Sequence, residues 1–268
     1  MFPNFSGSAP PRVLSVLALA LTAGFCVLAA LAFYRAYRER SAPQYPTVRV
    51  TVPEGYTVSR IDALLAREGV VSSGSLLALP VSAFIPTHPF LAGAPSLEGF
   101  LFPDTYEFFL GSAPSVVASA MLDTFSRKAL PLFPDSSPVL RGVTLASIIE
   151  REVPPHGVDR SIVAGIFEKR LRLGMPLQAD ATVCYAKDPL GCGGVSASDL
   201  VIESPYNTYR VLGLPPGPIA NPGVSAIAAA LAPDASPYLY YISHPETGRS
   251  IFARSLDEHT QNVAHYLK

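Results

Sequence analysis

The chain has 268 residues, 49% of them hydrophobic, with 20 basic and 21 acidic side chains and a formal net charge of −1. That composition supports a buried core and excludes a disordered chain, and the balanced charge excludes the basic footprint that a nucleic-acid binder needs. The 27 prolines fall in short clusters such as Pro154-Pro155 and Pro215-Pro216, so they punctuate a folded chain instead of forming one low-complexity tract.

From the amino terminus, residues 1–12 precede an uncharged run, Val13 to Phe33, rich in Leu, Ala and Val. At 1.5 Å per helical residue this run spans about 30 Å of hydrocarbon, which predicts a transmembrane helix over 13–33. It exceeds the apolar core of a cleaved signal peptide, about 7 to 15 residues long. Tyr34, Tyr37 and three arginines follow as an interfacial belt. Arg35, Arg38 and Arg40 lie after the span and only Arg12 before it, so the positive-inside rule alone places the bulk of the chain in the cytoplasm.

A linker covers 34–47. Val48-Arg49-Val50-Thr51-Val52 then alternates like a half-buried strand, and Pro53-Glu54-Gly55 turns it. Thr57 to Gly69 reads as an amphipathic helix with Thr57 or Ser59 as cap, Ile61, Leu64 and Leu65 on one stripe, and Gly69 as stop. The aromatic and acidic block Ser96 to Phe108 reads as a structural corner. Helical spacing is expected over Val116 to Leu130, Thr144 to Val153, Ile162 to Leu173 and Val224 to Leu231, a strand over Tyr238 to Ile242, and a closing helix over Leu256 to Tyr266.

Within Leu145 to Glu152, successive residues turn by about 100°, so Glu152 projects between Ile148 and Ile149 on the Leu145 stripe while Glu150 points elsewhere. A carboxyl group held among apolar residues keeps its proton toward neutral pH, as a general acid must. The alternative is a structural acid paired with Arg170 or Arg172. No metal site is expected: His88, His156, His244, His259 and His265 fit no ligand spacing, and Cys184 and Cys192 lack partner ligands. Those two cysteines form a disulfide in an oxidising compartment or are two unrelated small core residues, and both readings stay open. Cys26 lies in the expected span. No nucleotide- or cofactor-cradling loop occurs, and no cofactor is expected. The segment Ser204 to Tyr209 and the proline-rich Gly213 to Gly223 combine aromatic and amide groups that suit sugar rings. A capped, rigid surface loop is the plainer reading.

Five ordered strings carry a resemblance: Leu97-Glu98-Gly99-Phe100-Leu101-Phe102-Pro103-Asp104-Thr105-Tyr106, Leu145 to Glu152, Gly174 to Val183, Ser204 to Tyr209, and Gly213-Leu214-Pro215-Pro216-Gly217. Together they resemble the endolytic murein transglycosylases, the YceG-like family. The resemblance implies an α+β chain with an N-terminal transmembrane helix, a small LysM-like α+β module over 48–95, and a mainly helical, lysozyme-like catalytic domain with short strands over 96–268. It implies a cytoplasmic stretch at 1–12, a single pass through the cytoplasmic membrane and a catalytic domain on the periplasmic side, against the arginine count.

It further implies lytic cleavage of MurNAc-GlcNAc linkages within peptidoglycan glycan strands, leaving 1,6-anhydroMurNAc ends and terminating nascent strands beside peptidoglycan synthases as partners. Glu152 becomes the expected acid, with Glu150 as fallback, and Gln178, Asp180, Tyr206, Asn207 and Tyr209 are expected to hold the glycan. A non-catalytic envelope scaffold that recruits synthases is the alternative, and a conventional muramidase a second one. Two departures stand out: only one Val-Pro-Glu-Gly-type repeat, Val52 to Gly55, suggests a trimmed LysM-like module, and Ala181 replaces the family's usual proline.

Overall fold

The computed structural model describes residues 21–35, 46–134, 138–153, 159–244, 247 and 249–267. The chain divides into two compact units, residues 1–45 and 46–268. In the first unit residues 21–35 (α1) are helical and exposed. No helix among the described residues is long and apolar enough to cross a membrane. The expected span over 13–33 is described only from residue 21; residues 13–20 lie outside the described residues, as does His156.

The second unit opens with β1 (Thr47–Thr51), followed by α2 (Val58–Arg67). Thr57 caps α2 through its side chain, which accepts from the Arg60 amide at 3.2 Å. Ile61 and Leu65 are fully buried, and Gly69 ends the turn with φ +73°, a conformation that costs glycine nothing. β1 does not stay within a separate small module. It pairs antiparallel with β2 (Thr105–Phe109), Val50 opposite Tyr106. The block read as a corner is therefore partly a strand, with Tyr106 and Phe108 alternating inward and their rings stacked at 5.4 Å. Residues 46–268 share one compact unit, so the division expected between 95 and 96 is not a break in packing.

Helix α3 (Pro114–Lys128) starts with proline at its first turn, where no backbone donor is missed. At the centre lies α4 (Val139–Glu152), buried continuously from Gly142 to Glu150. A helix buried around its whole circumference has no polar face to give away, so the stripe drawn from its sequence does not separate its two acids. α5 (Arg160–Arg172) and α7 (Val224–Leu231) pack against it. Gly165 on α5 passes so close to the Asp234 carbonyl that a Cβ would collide with it. α6 (Asp180–Lys187) was not anticipated from sequence. Its end is tied by a disulfide between Cys184 and Cys192, with Cα atoms 5.4 Å apart. A second ribbon of β3 (Tyr240–Ser243) and β4 (Ser250–Ala253), with α8 (Leu256–Tyr266) against it, completes the unit. β4 too was missed.

The proline-rich loop is not a surface loop. Ile219, Ala220 and Asn221 are fully buried or nearly so, the Ile219 amide donates to Ser147 Oγ on α4 at 3.0 Å, and Asn221 Nδ2 donates to the Tyr56 carbonyl at 2.9 Å and to Glu98 at 3.1 Å. Residues 217–223 form an internal strap between α4 and the region around α2, while Pro216 stays exposed.

Candidate active site

Glu152 is the last residue of α4 and opens into a cleft of about 640 Å³. Its Oε1 accepts from the Ala181 amide at 3.1 Å and its Oε2 from the Tyr241 hydroxyl at 3.0 Å. Burial pushes the carboxyl's pKa above the usual value, and the nearby Asp180 charge adds to this, while the two hydrogen bonds and Arg151 pull the other way. Among the described residues no lysine or arginine forms an ion pair with it. Arg170, one expected structural partner, is turned to carbonyls: Nε donates to Leu239 at 2.7 Å and Nη1 to Leu177 at 2.8 Å. Arg172 is exposed on another face, beside Glu168 and Asp234.

Glu150, two residues earlier, is in a different situation. Arg160 grips both of its oxygens, Nη2 to Oε1 at 2.8 Å and Nη1 to Oε2 at 3.2 Å, and the Gly223 amide donates at 3.1 Å. Both partners of this pair are buried. A carboxylate engaged on both oxygens inside the core joins α4, α5 and the strap, and has no oxygen turned to a substrate.

Of the residues expected to hold glycan, Gln178, Asp180 and Tyr209 line the cleft with Glu152. Gln178 has φ +53°, the only positive φ at a described non-glycine residue, a strained conformation held by its amide on the Thr208 carbonyl at 3.1 Å. Asp180 accepts from the Tyr209 hydroxyl at 2.6 Å. Two others need correction. Asn207 is completely buried; its Nδ2 donates to the Leu200 and Ile202 carbonyls and its Oδ1 accepts from the Tyr209 amide. It positions Tyr209 and cannot touch a ligand. Tyr206 lies away from the cleft, its ring against Tyr185 at 5.0 Å.

The sequence reading missed Tyr241, Tyr240 and His259. Tyr241 donates to Glu152 and sets its ring edge-on to Phe167 at 6.1 Å. Tyr240 stacks on His259 at 5.2 Å, and Arg170 lies 5.0 Å from the Tyr240 ring centre. The run of tyrosines at 238–241 was the available signal, but it was spent on assigning a strand. Among the described residues no group of three or more His, Cys, Asp or Glu side chains could hold a metal ion. A carboxyl whose pKa burial raises, which faces a cleft and has two donors ready for its anion, can give a proton to a leaving oxygen and take one back.

The YceG-like family profile matches residues 28–265. The endolytic murein transglycosylase of Bacillus subtilis is 34% identical, the match covering 82% of this chain and 65% of that protein. Its namesake in Streptococcus pneumoniae is 29% identical over 84% of this chain and 46% of that protein. The chain thus spans about half to two thirds of the length of the curated relatives it matches. A solved YceG-like protein of Listeria monocytogenes shares 33% identity and superposes with a TM-score of 0.71, covering 80% of this chain and 75% of that one. By a profile match that takes in most of its length, and by a fold shared with a solved relative, the chain belongs to the YceG-like family.

Proposed function

We propose that the chain is an endolytic lytic transglycosylase that cleaves MurNAc-GlcNAc linkages within peptidoglycan glycan strands and leaves 1,6-anhydroMurNAc ends. The observation that carries this is the Glu152 carboxyl, in no ion pair among the described residues and bonded by Ala181 N–H and Tyr241 O–H in the cleft. Relatives that bear the name endolytic murein transglycosylase support the substrate class.

Cleavage by a hydrolase of the usual kind takes two carboxylates, one of them to act as nucleophile or to activate water. A lytic reaction takes one. Glu152 protonates the glycosidic oxygen as the C1–O bond breaks; Tyr241 and Ala181 then stabilise the carboxylate that remains. The sugar's own C6 hydroxyl closes on C1 and passes its proton to Glu152, restoring the acid with no water consumed. Asp180, steadied by Tyr209, and Gln178 stand along the cleft where they can hold sugar hydroxyl and acetamido groups.

The wider reading goes with this one. Residues 13–33 anchor the chain by a single pass in the cytoplasmic membrane, with the folded unit on the periplasmic side; the apolar run and the disulfide, which persists in an oxidising compartment, support it. Residues 48–95 are a trimmed LysM-like segment packed onto the helical, lysozyme-like part. Termination of nascent strands beside the synthases follows from an anchored, endolytic enzyme. The experiment is to incubate the full chain in detergent with purified glycan strands and identify the new ends by mass spectrometry. Anhydro ends are expected; intact strands would leave the scaffold reading, and reducing ends would mean a muramidase.

A further inference from the structure

A second recess begins at a residue that also contacts Glu152. Ala181, whose amide binds Glu152, shares one face of α6 with Cys184 and Tyr185, and these three line the recess together with Asp188 just past the helix. Across from them stand Arg60 of α2 and Arg151 of α4, with the disulfide-closed loop at Gly191 and Cys192 as the third wall. Thr57 Oγ1 donates to the Pro189 carbonyl at 2.5 Å and pins that loop to the cap of α2.

Burial and, after it, the Arg60 charge nearby hold the Arg151 pKa below its usual value. Neither makes an ion pair among the described residues. Arg60 lies 3.9 Å over the Tyr56 ring and Arg151 Nη1 donates to the Gly55 carbonyl at 3.4 Å, so both heads are held in place with donors to spare. The one acid in the recess, Asp188, has Oδ1 turned back to the Leu190 amide at 2.9 Å. Like charges brought together without a counter-ion cost stability, and an anion entering between them would relieve that cost. The open volume is about 20 Å³, room for a group little larger than water. A carboxylate head enters it; a pyranose ring does not.

We propose that Arg60 and Arg151 form a carboxylate-binding subsite beside the catalytic cleft, which takes the carboxylate borne on the lactyl arm of a muramyl sugar. The source is the peptide stem or the bare lactyl group. The proposal rests on the transglycosylase reading above. Arg60 is the residue to vary, because Arg151 also acts on the Glu152 charge.

The test uses the full chain in detergent carrying Glu152→Gln, so that binding is read without turnover and does not depend on whether the wild type makes anhydro ends. Its probes are GlcNAc-MurNAc tetrasaccharides with L-Ala-D-Glu stems, the same with both stem carboxyls amidated, and the stem-stripped form with free lactyl carboxylates. By calorimetry the free-stem probe should bind about tenfold tighter than the amidated one, the weight of one charge-assisted hydrogen-bonded contact. Arg60→Gln should bring the free-stem probe to the amidated level and leave the amidated probe unchanged, and Arg60→Lys should restore part of the difference. Because the lactyl carboxyl of the free-stem probe is tied up in the amide to L-Ala, stripped strands that bind like the free-stem probe with the same Arg60 dependence would show that the subsite accepts a carboxylate from either source; if they bind like the amidated probe, it takes only the stem's. Equal loss for all three probes with Arg60→Gln, or binding of the free-stem and stripped probes no tighter than that of the amidated one, would overturn the subsite.

Discussion

Glu150 and Glu152 are two residues apart on one helix, yet Arg160 takes both oxygens of the first while a tyrosine and an amide donate to the second. Their substitutions should therefore fail in different ways. Glu152→Gln keeps the shape of the side chain and loses its proton, so turnover should drop by roughly 10²–10⁴-fold with the thermal midpoint nearly unmoved. Glu150→Gln leaves Arg160 buried without its counter-charge, at a cost of about 3–5 kcal/mol, read as a fall in the midpoint of denaturant unfolding. A variant at Glu150 that unfolds normally but is inactive would return the acid's role to it. Tyr241 sets the pH range. Its O–H favours the ionised form of Glu152, so Tyr241→Phe raises the pKa of an acid already raised by burial. The alkaline limb of the rate profile, where Glu152 loses its proton, should move to higher pH, while the maximal rate falls by about tenfold through the lost stabilisation of the carboxylate. An unmoved limb would detach Tyr241 from the acid.

Among elements, Glu98 illustrates how a buried acid joins two of them. Its oxygens accept from the first amide of α2, Val58, at 3.1 Å and from Asn221 of the strap at 3.1 Å, with no ion pair to it among the described residues, and burial pushes its pKa up to about 8. Between the ordinary glutamate value and about 8 the folded chain keeps this proton while the unfolded chain has released it. Stability is then full below the ordinary value and falls as pH rises through that window. Glu98→Gln should flatten the decline, so its thermal midpoint should lose less between pH 6 and 9 than the wild type's; parallel declines would contradict the assignment. The Cys184–Cys192 bridge closes a loop of fewer than ten residues, and replacing both cysteines with serine should cost about 2–3 kcal/mol in unfolding free energy. α7 and α8 were legible because apolar residues repeat along them and fall on the expected residues, and α2 has the expected cap. α6 was not legible, since Asp-Ala-Thr-Val-Cys-Tyr-Ala-Lys has two turns, a polar start and an end fixed by the disulfide. β2 alternates in sequence, but it is five residues long and its partner lies more than fifty residues earlier, a pairing that no local pattern reveals.

For the molecule as a whole, the acid, the cleft and the recess belong to one continuous unit in which the strap and the turn before α2 are tied to α4. Glu152 was legible as an acid worth watching because it ends an apolar helix; its tyrosine was not, because Tyr241 lies 89 residues away. Asn207 misled in the opposite sense: an amide in a tyrosine-rich loop suits a sugar, but here it satisfies backbone groups that burial would otherwise strand. If residues 13–33 anchor this unit from the cytoplasmic side, a phosphatase reporter fused after Lys268 should be active, and activity of a cytoplasmic reporter alone would restore the orientation given by the arginine count. In the proposed reaction one carboxyl, without a second nucleophile or an activated water, cuts the glycan. The most direct measurement is mass spectrometry of strand ends after digestion by the full chain in water enriched in oxygen-18. New 1,6-anhydroMurNAc ends free of the heavy isotope are predicted, whereas reducing MurNAc ends that carry it would contradict the account.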